Sequence, residues 1–294
     1  MLPAKEPALL SGRDIRELAE RLQVNPRKAL GQNFVVDPNT IRRIVRVAEV
    51  TPQDHVLEVG PGLGSLTLGL LGVAEQVTAV EIDPRLATAL TDTVSLRAPQ
   101  EAENLTVLQA DATTITADVR SPTSLVANLP YNVGVPILLH CLQVYPSLRH
   151  GAVMVQREVA DRLVAGPGGA DYGVPSLKLA WYARARRVGK VPPSVFWPMP
   201  RVDSTLVAFT RHESVGSDQL RKRVFTLVNT TFGQRRKTLR ASLKAHYEDG
   251  HLTAALARSG LEPSLRPQEL ALTDFVRLAE ALAEPSESEP VLPG

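Results

Sequence analysis

Four short segments carry residue types from which a chemical site can be built: Glu58-Val59-Gly60-Pro61-Gly62-Leu63-Gly64, Glu81, Asp111 and Asn128-Leu129-Pro130-Tyr131. Glycines at 60, 62 and 64 let the backbone turn sharply and come close to a ligand. A pyrophosphate site prefers G-x-G-x-x-G, with helix amides facing the phosphates. The spacing here is G-x-G-x-G after an acid, which suits a nucleoside carrying a zwitterionic amino acid; a plain tight turn is the alternative. Glu81 stands where an acid accepts hydrogen bonds from both ribose hydroxyls. Asp111, after Gln109-Ala110, is placed to accept from an adenine amino group. Singly, each acid reads better as a helix N-cap or a surface carboxylate, and Asp83 before Pro84 is read as such a cap. Together, at the ends of three consecutive strands, the glycine turn, Glu81 and Asp111 point to one nucleoside pocket.

Asn128 to Tyr131 follow the fourth strand. An adenine N6 is a poor nucleophile because its lone pair is delocalised into the ring. If the Asn128 side-chain carbonyl and a neighbouring backbone carbonyl accept its two hydrogens, the nitrogen is drawn toward a pyramidal shape. Its lone pair then points at a sulfonium methyl for in-line transfer. Pro130 stiffens the turn and removes a competing N–H. Tyr131 offers a face for stacking a base, typically worth about 1–3 kcal/mol. The implied cofactor is S-adenosyl-L-methionine, and the implied mechanism is positioning plus electrostatics, with no metal and no covalent intermediate. Taken alone, the same four residues are an ordinary strand-ending turn.

These residues need a scaffold of strands and helices. Strands are predicted at Val56–Val59, Val77–Val80, Leu105–Gln109, Leu125–Ala127 and Ala152–Val155. They alternate with helices at Ser65–Leu71, from Asp83-Pro84, at Pro136–Val144 and at Glu158–Val164, the pattern of a doubly wound parallel sheet. Two later strands, Arg184–Val191 and Thr205–Thr210, precede purely helical patterns. The fold expected is therefore α/β, a Rossmann-like class I methyltransferase sheet with a small all-helical C-terminal domain. The division expected is an extension with a short helix over 1–27, a catalytic domain over 28–211, a helical domain over 212–283, RNA-binding by resemblance to a known family, and a disordered tail over 284–294.

The chain has 294 residues, 44% of them hydrophobic, enough for a sizeable core. Its single cysteine, Cys141, lies in an apolar stretch and reads as a small buried hydrophobe, which suits a reducing cytoplasm. No apolar run reaches the length of a membrane helix. Net charge is only +2, yet residues 184–244 carry fourteen Lys and Arg against three acids, whereas residues 247–294 carry three against nine. That cationic zone suggests a polyanionic partner, with solvated helix faces as the equal alternative.

The motifs resemble the ribosomal RNA adenine N6,N6-dimethyltransferases, specifically their small-subunit (16S rRNA, kasugamycin-sensitivity) branch. The resemblance runs from Lys28 to Leu282. Besides the segments above it rests on Gly31-Gln32-Asn33-Phe34, Gln156-Arg157-Glu158-Val159, Phe196 to Ser204, and Phe232-Gly233-Gln234-Arg235-Arg236-Lys237-Thr238. It implies dimethylation of two adjacent adenosines in small-subunit rRNA, late in ribosome biogenesis, by a cytoplasmic monomer. It also implies that Gln32, Asn33 and Val35, with Gly60, Gly62, Gly64, Glu81, Asp111 and Asn128, hold the cofactor. Leu129, Pro130 and Tyr131 with Phe196 would receive the flipped adenine, Tyr131 and Phe196 sandwiching it. Arg235, Arg236, Lys237 and Arg240 would line a helix facing phosphates. The loop Pro167–Gly173 departs from many relatives and is given no site role. Two alternatives stand: a macrolide-resistance enzyme acting on large-subunit rRNA, and a non-catalytic nucleic-acid-binding factor on the same scaffold.

Overall fold

The computed structural model describes residues 7–24, 33–116 and 119–283. The chain forms two compact units, 1–160 with 184–212, and 161–183 with 213–294. Unit 1 opens with α1 (Gly12–Arg21), capped by Ser11, whose hydroxyl accepts from the Asp14 amide. Then follow β1 (Phe34–Val35), α2 (Pro38–Val47), β2 (His55–Val59), α3 (Ser65–Leu71), β3 (Gln76–Glu81), α4 (Pro84–Arg97) and β4 (Leu105–Gln109). The chain continues through β5 (Ser124–Asn128), α5 (Gly134–Val144), β6 (His150–Gln156) and α6 (Arg157–Val164). After α7 (Val174–Ala180) come β7 (Ala183–Val191), β8 (Phe196–Trp197) and β9 (Ser204–Arg211). Unit 2 ends with α8 (Asp218–Phe232), α9 (Leu239–Leu243), α10 (Asp249–Ser259) and α11 (Leu272–Ala281).

Seven strands form one sheet in the order β4-β3-β2-β5-β6-β9-β7. Pairings from β4 through β6 are parallel, and β9 adds antiparallel to β6. The sheet is thus parallel over the cofactor-side strands and mixed beyond them. Strand order reverses at β2, with β3 and β4 on one side and β5 and β6 on the other. At such a switch point the loops leaving the carboxyl ends diverge and open a crevice. The glycine turn, Glu81, Asp111 and Asn128 sit at these strand ends or on the loops that leave them. A second sheet of two short strands pairs β1 with β8, Phe34 opposite Trp197 and Val35 opposite Phe196.

Two boundaries differ from the sequence expectation. The segment before residue 28 is no appendage: Leu10, Ile15, Ala19 and Val24 are buried in the same apolar cluster as Ile41, Leu68 and Val77. An amphipathic stripe of this kind is stable only against a core. Residues 161–183, expected in the catalytic domain, group instead with the C-terminal helices. Leu177 and Trp181 are buried there, and Phe225 of α8 meets Trp181 and Tyr182 edge to face. Helix α7 itself was not expected from the sequence. The tail 284–294 lies outside the described residues.

Candidate active site

Beginning at the backbone, the turn after β2 is made possible by Gly62, whose φ is +59°. A Cβ there would come within 2.7 Å of Cε1 of Phe34, so only glycine lets this turn lie under the ring. Gly62 N–H donates to Oε2 of Glu81 (3.1 Å), and Asp83 N–H donates to Oε1 (3.0 Å). The strand-end acid is therefore fixed from both sides while its remaining lone pairs stay available. Burial raises the Glu81 carboxyl above the usual range, an effect that these backbone donors oppose. Asp83 also caps α4 through its bond from the Arg85 amide (3.0 Å), as expected of a residue before proline.

Glu58, on β2, is fully buried, and burial pushes its carboxyl up to about 8, against the hydrogen bond from Thr67 Oγ1 (2.7 Å). Asp111 is more open. The Thr113 amide and hydroxyl both donate to its Oδ1, at 2.8 and 2.7 Å, and hold it below the usual carboxylate range.

Asn128 closes the pocket from β5. Its Nδ2 donates to the Asn33 carbonyl at 2.9 Å. Since a carbonyl only accepts, this bond fixes which end of the amide is which and leaves Oδ1 as the acceptor. Leu129 is buried, with its amide bonded to the Met154 carbonyl (3.1 Å), which locks the backbone beneath the Pro130 turn.

A cavity of about 300 Å³ lies among these groups. It brings together Asn33, Val35, Gly60, Gly62, Glu81, Asp111, Asn128 and Pro130 from the expected set. Leu129, Tyr131, Gly64 and Phe196 do not line it. Gly64 instead caps α3 with φ +94°. Tyr131 is tied by its hydroxyl to Ser204 Oγ (2.7 Å), and Phe196 is 3% exposed in the β1–β8 pair. Gln32 lies outside the described residues. The sequence reading missed Phe34, Ser65 and Ile82 on the wall. Phe34 stood within a quoted motif, and Ile82 is a large apolar residue, 52% exposed, directly after Glu81.

S-adenosylmethionine fits this site. The volume suits a small cofactor, the acids lie at strand ends, and buried Ser65 Oγ on the wall has no protein partner. Among the described residues no cluster of His, Cys, Asp and Glu is arranged to hold a metal ion. Cys141 is buried, and burial pushes its thiol up to about 12.

The expected RNA-binding cations are placed differently from the reading. Arg235, Arg236 and Lys237 are exposed in the turn between α8 and α9, not on a helix face. Gly233 ends α8, and Thr238 caps α9 by accepting from the Ala241 amide, so these three residues fall between two caps. Arg240 is on α9 and is held by Asp249, both of whose oxygens lie within 2.7 Å of one guanidinium nitrogen.

A model of the family described as ribosomal RNA adenine dimethylase matches residues 23–284. A ribosomal RNA small subunit methyltransferase A from Kineococcus radiotolerans is 57% identical over 92% of this chain and 91% of its own length. One from Leifsonia xyli is 56% identical, covering 93% and 99%. Among solved structures, the 23S rRNA methyltransferase ErmE is 30% identical over 85% of this chain and all of its own, with a TM-score of 0.64. A dimethyladenosine transferase from Plasmodium falciparum shares the fold at a TM-score of 0.72 and 24% identity, over 82% of this chain and 94% of its own. The match spans the glycine turn, both acids and the Asn-Leu-Pro-Tyr end of β5 alike: the chain belongs to the ribosomal RNA adenine dimethylase family.

Proposed function

We propose that the chain dimethylates N6 of two adjacent adenosines in small-subunit 16S ribosomal RNA, acting as a monomer on a nearly mature subunit particle in the cytoplasm. The observation that carries this reading is the nucleoside-sized cavity bounded by Glu81, Asp111 and Asn128, with the Asn128 amide oriented by Asn33. Small-subunit enzymes at 57% and 56% identity, against 30% for a 23S enzyme, favour the small subunit over the large one.

When bound, S-adenosylmethionine supplies an electrophilic methyl group on its sulfonium. Glu81 holds the ribose hydroxyls and Asp111 the adenine amino group. Asn33 and Val35 cover the amino-acid end. Asn128 Oδ1 and a neighbouring backbone carbonyl accept the hydrogens of the target N6 and turn its lone pair toward the methyl. Pro130 contributes no N–H to compete for those acceptors. Tyr131, steadied at its hydroxyl by Ser204, stacks on the flipped base. Phe196 takes the opposite face, which requires its ring to be uncovered when substrate arrives. Solvent removes the proton from the methylated amine. Arg235, Arg236, Lys237 and Arg240 supply phosphate contacts in unit 2.

Incubation with labelled S-adenosylmethionine and either small subunits lacking the modification or unmodified large subunits tests this directly. N6,N6-dimethyladenosine confined to the small subunit is the expected product. The same product only in the large subunit would make the chain a resistance-type enzyme, and tight RNA binding without transfer would make it a non-catalytic factor.

A further inference from the structure

Two strands of unit 1, with the end of α2 and the first residue of α6, meet at a second hollow that the reaction does not use. Arg186, Arg187 and Lys190 of β7 and Arg157 at the start of α6 line a cleft of about 800 Å³, with Thr205 of β9 on its wall and Glu49 at its rim. All four cations are exposed. Glu49 pairs with Arg186 at 3.3 Å, but their side chains are 72% and 65% exposed, so water screens the pair and a phosphate can displace it.

Charged residues on an edge strand have an ordinary purpose, to keep its open backbone groups from pairing with another sheet. That purpose is partly met already. Arg43 of α2 donates to the Lys190 carbonyl (2.9 Å) and the Val188 carbonyl (3.5 Å), passing over Gly189, where a side chain would occupy the guanidinium's place. Nor does edge protection call for a concavity, or for a cation from another element. Arg157 supplies both, since it also lines an adjoining hollow with Arg201, Glu158 and Asp203. That hollow balances two cations with two acids, whereas the β7 cleft sets four cations against Glu49, so the anion-binding site is the first.

The cleft connects to the reaction centre through one residue. Asp203 lines the second hollow and Thr205 the first; between them is Ser204, whose Oγ is 2.7 Å from the Tyr131 hydroxyl. Gln156, the residue before Arg157, pairs with Ser204 across β6 and β9, so the Arg157–Thr205 end of the cleft lies at the edge of the sheet that carries Tyr131, where a strand presenting its base to Tyr131 would pass. We propose that the β7 cleft binds phosphates of the RNA strand flanking the target adenosine, a site separate from the Arg235–Lys237 turn and built wholly within the catalytic unit. It rests on the dimethylation reading above. Guanidinium groups suit it because they take a phosphate through two parallel hydrogen bonds.

The test is the binding of small subunits lacking the modification by a triple variant, Arg186→Ala, Arg187→Ala and Lys190→Ala, across 50–200 mM salt. Each lost phosphate contact reduces the salt slope by about 0.7–0.9, so a drop of about two to three is expected, with S-adenosylmethionine affinity intact. The Arg186→Lys, Arg187→Lys variant should keep the wild-type slope. An unchanged slope in the alanine variant overturns the proposal. Should that variant misfold, acylation of Lys190 in the wild-type protein decides: the bound subunit must protect it, and equal labelling with and without subunit overturns the site. A wild-type protein that fails to dimethylate small-subunit RNA would sink the functional reading instead, which the activity assay reports separately.

Discussion

At the residue scale, Asn128 and Glu58 carry opposite duties. Asn128 must present an acceptor in one direction only, and its bond to the Asn33 carbonyl is what enforces that. Asn128→Ala should lower single-turnover methyl transfer by about 100- to 1000-fold, as removal of one preorganised polar contact does elsewhere. Cofactor affinity by calorimetry should change little; transfer at the wild-type rate would remove the proposed geometry. Glu58, though it lies on the cavity wall, is buried and has its Oε2 engaged by Thr67. Its folded pKa near 8 lies far above the ordinary glutamate value, so between the two the folded chain holds a proton that the unfolded chain has released. Stability from this group is full at low pH and declines as pH rises toward 8, by up to about 1.4 kcal/mol per unit. Glu58→Gln should flatten that decline in denaturant midpoints measured from pH 5 to 8, and an unaltered profile would show that the carboxyl is not the source. Gly62, Glu81, Asp111 and Asn128 could be singled out in the sequence because they fall together at the ends of neighbouring strands, although each alone reads as a cap, a surface acid or a turn. Phe34, Ser65 and Ile82 were not, since an apolar wall and a small hydroxyl carry no spacing of their own.

At the element scale, the parallel strands must be held in register at the end away from the site. Asp54, 1% exposed just before β2, does this. Its Oδ1 accepts from Thr123 Oγ1 (2.6 Å) and His150 Nε2 (3.2 Å), and its Oδ2 from the Thr51 amide and hydroxyl, both at 2.8 Å. These partners precede or begin β2, β5 and β6. Burial alone would raise the Asp54 carboxyl, yet the Thr123 and Thr51 bonds and His150 outweigh it and leave it below its ordinary value. Its contribution is therefore present above the usual carboxylate range and lost as pH falls beneath it. Asp54→Ala should cost about 3–5 kcal/mol by chemical denaturation, because the polar partners stay buried without it. The strands were readable as apolar runs between turn residues, and α3 appeared with its observed bounds. Helix α3, equally short, was marked by the glycine turn that leads from strand to helix, whereas α7 escaped notice because it opens on Gly173-Val174-Pro175 directly after a Gly-rich loop and reads as more of that loop. The cationic turn at Arg235–Lys237 was taken for helix because Thr238, which interrupts it, was not recognised as a cap.

At the scale of the whole molecule, 33 basic and 31 acidic residues nearly cancel, so any attraction for RNA comes from where the charges stand. Replacing Arg235, Arg236 and Lys237 together by Ala should weaken binding to small subunits and reduce the salt slope by about two to three. Loss of affinity with the slope intact would mean that these three act through folding. Arg240→Ala should matter less to RNA, since Asp249 already engages that side chain.

The smaller unit is written in two pieces, 161–183 and 213–294, with the strands β7, β8 and β9 between them. A ribosome making this chain releases Leu177, Trp181 and Tyr182 more than forty residues before Phe225, the ring that both aromatics meet. For that interval the nascent protein carries a large apolar surface whose cover has not yet been synthesised. The last helices thus act as a closing clasp, and a message cut short after residue 212 would yield a sticky fragment in place of a lone catalytic domain.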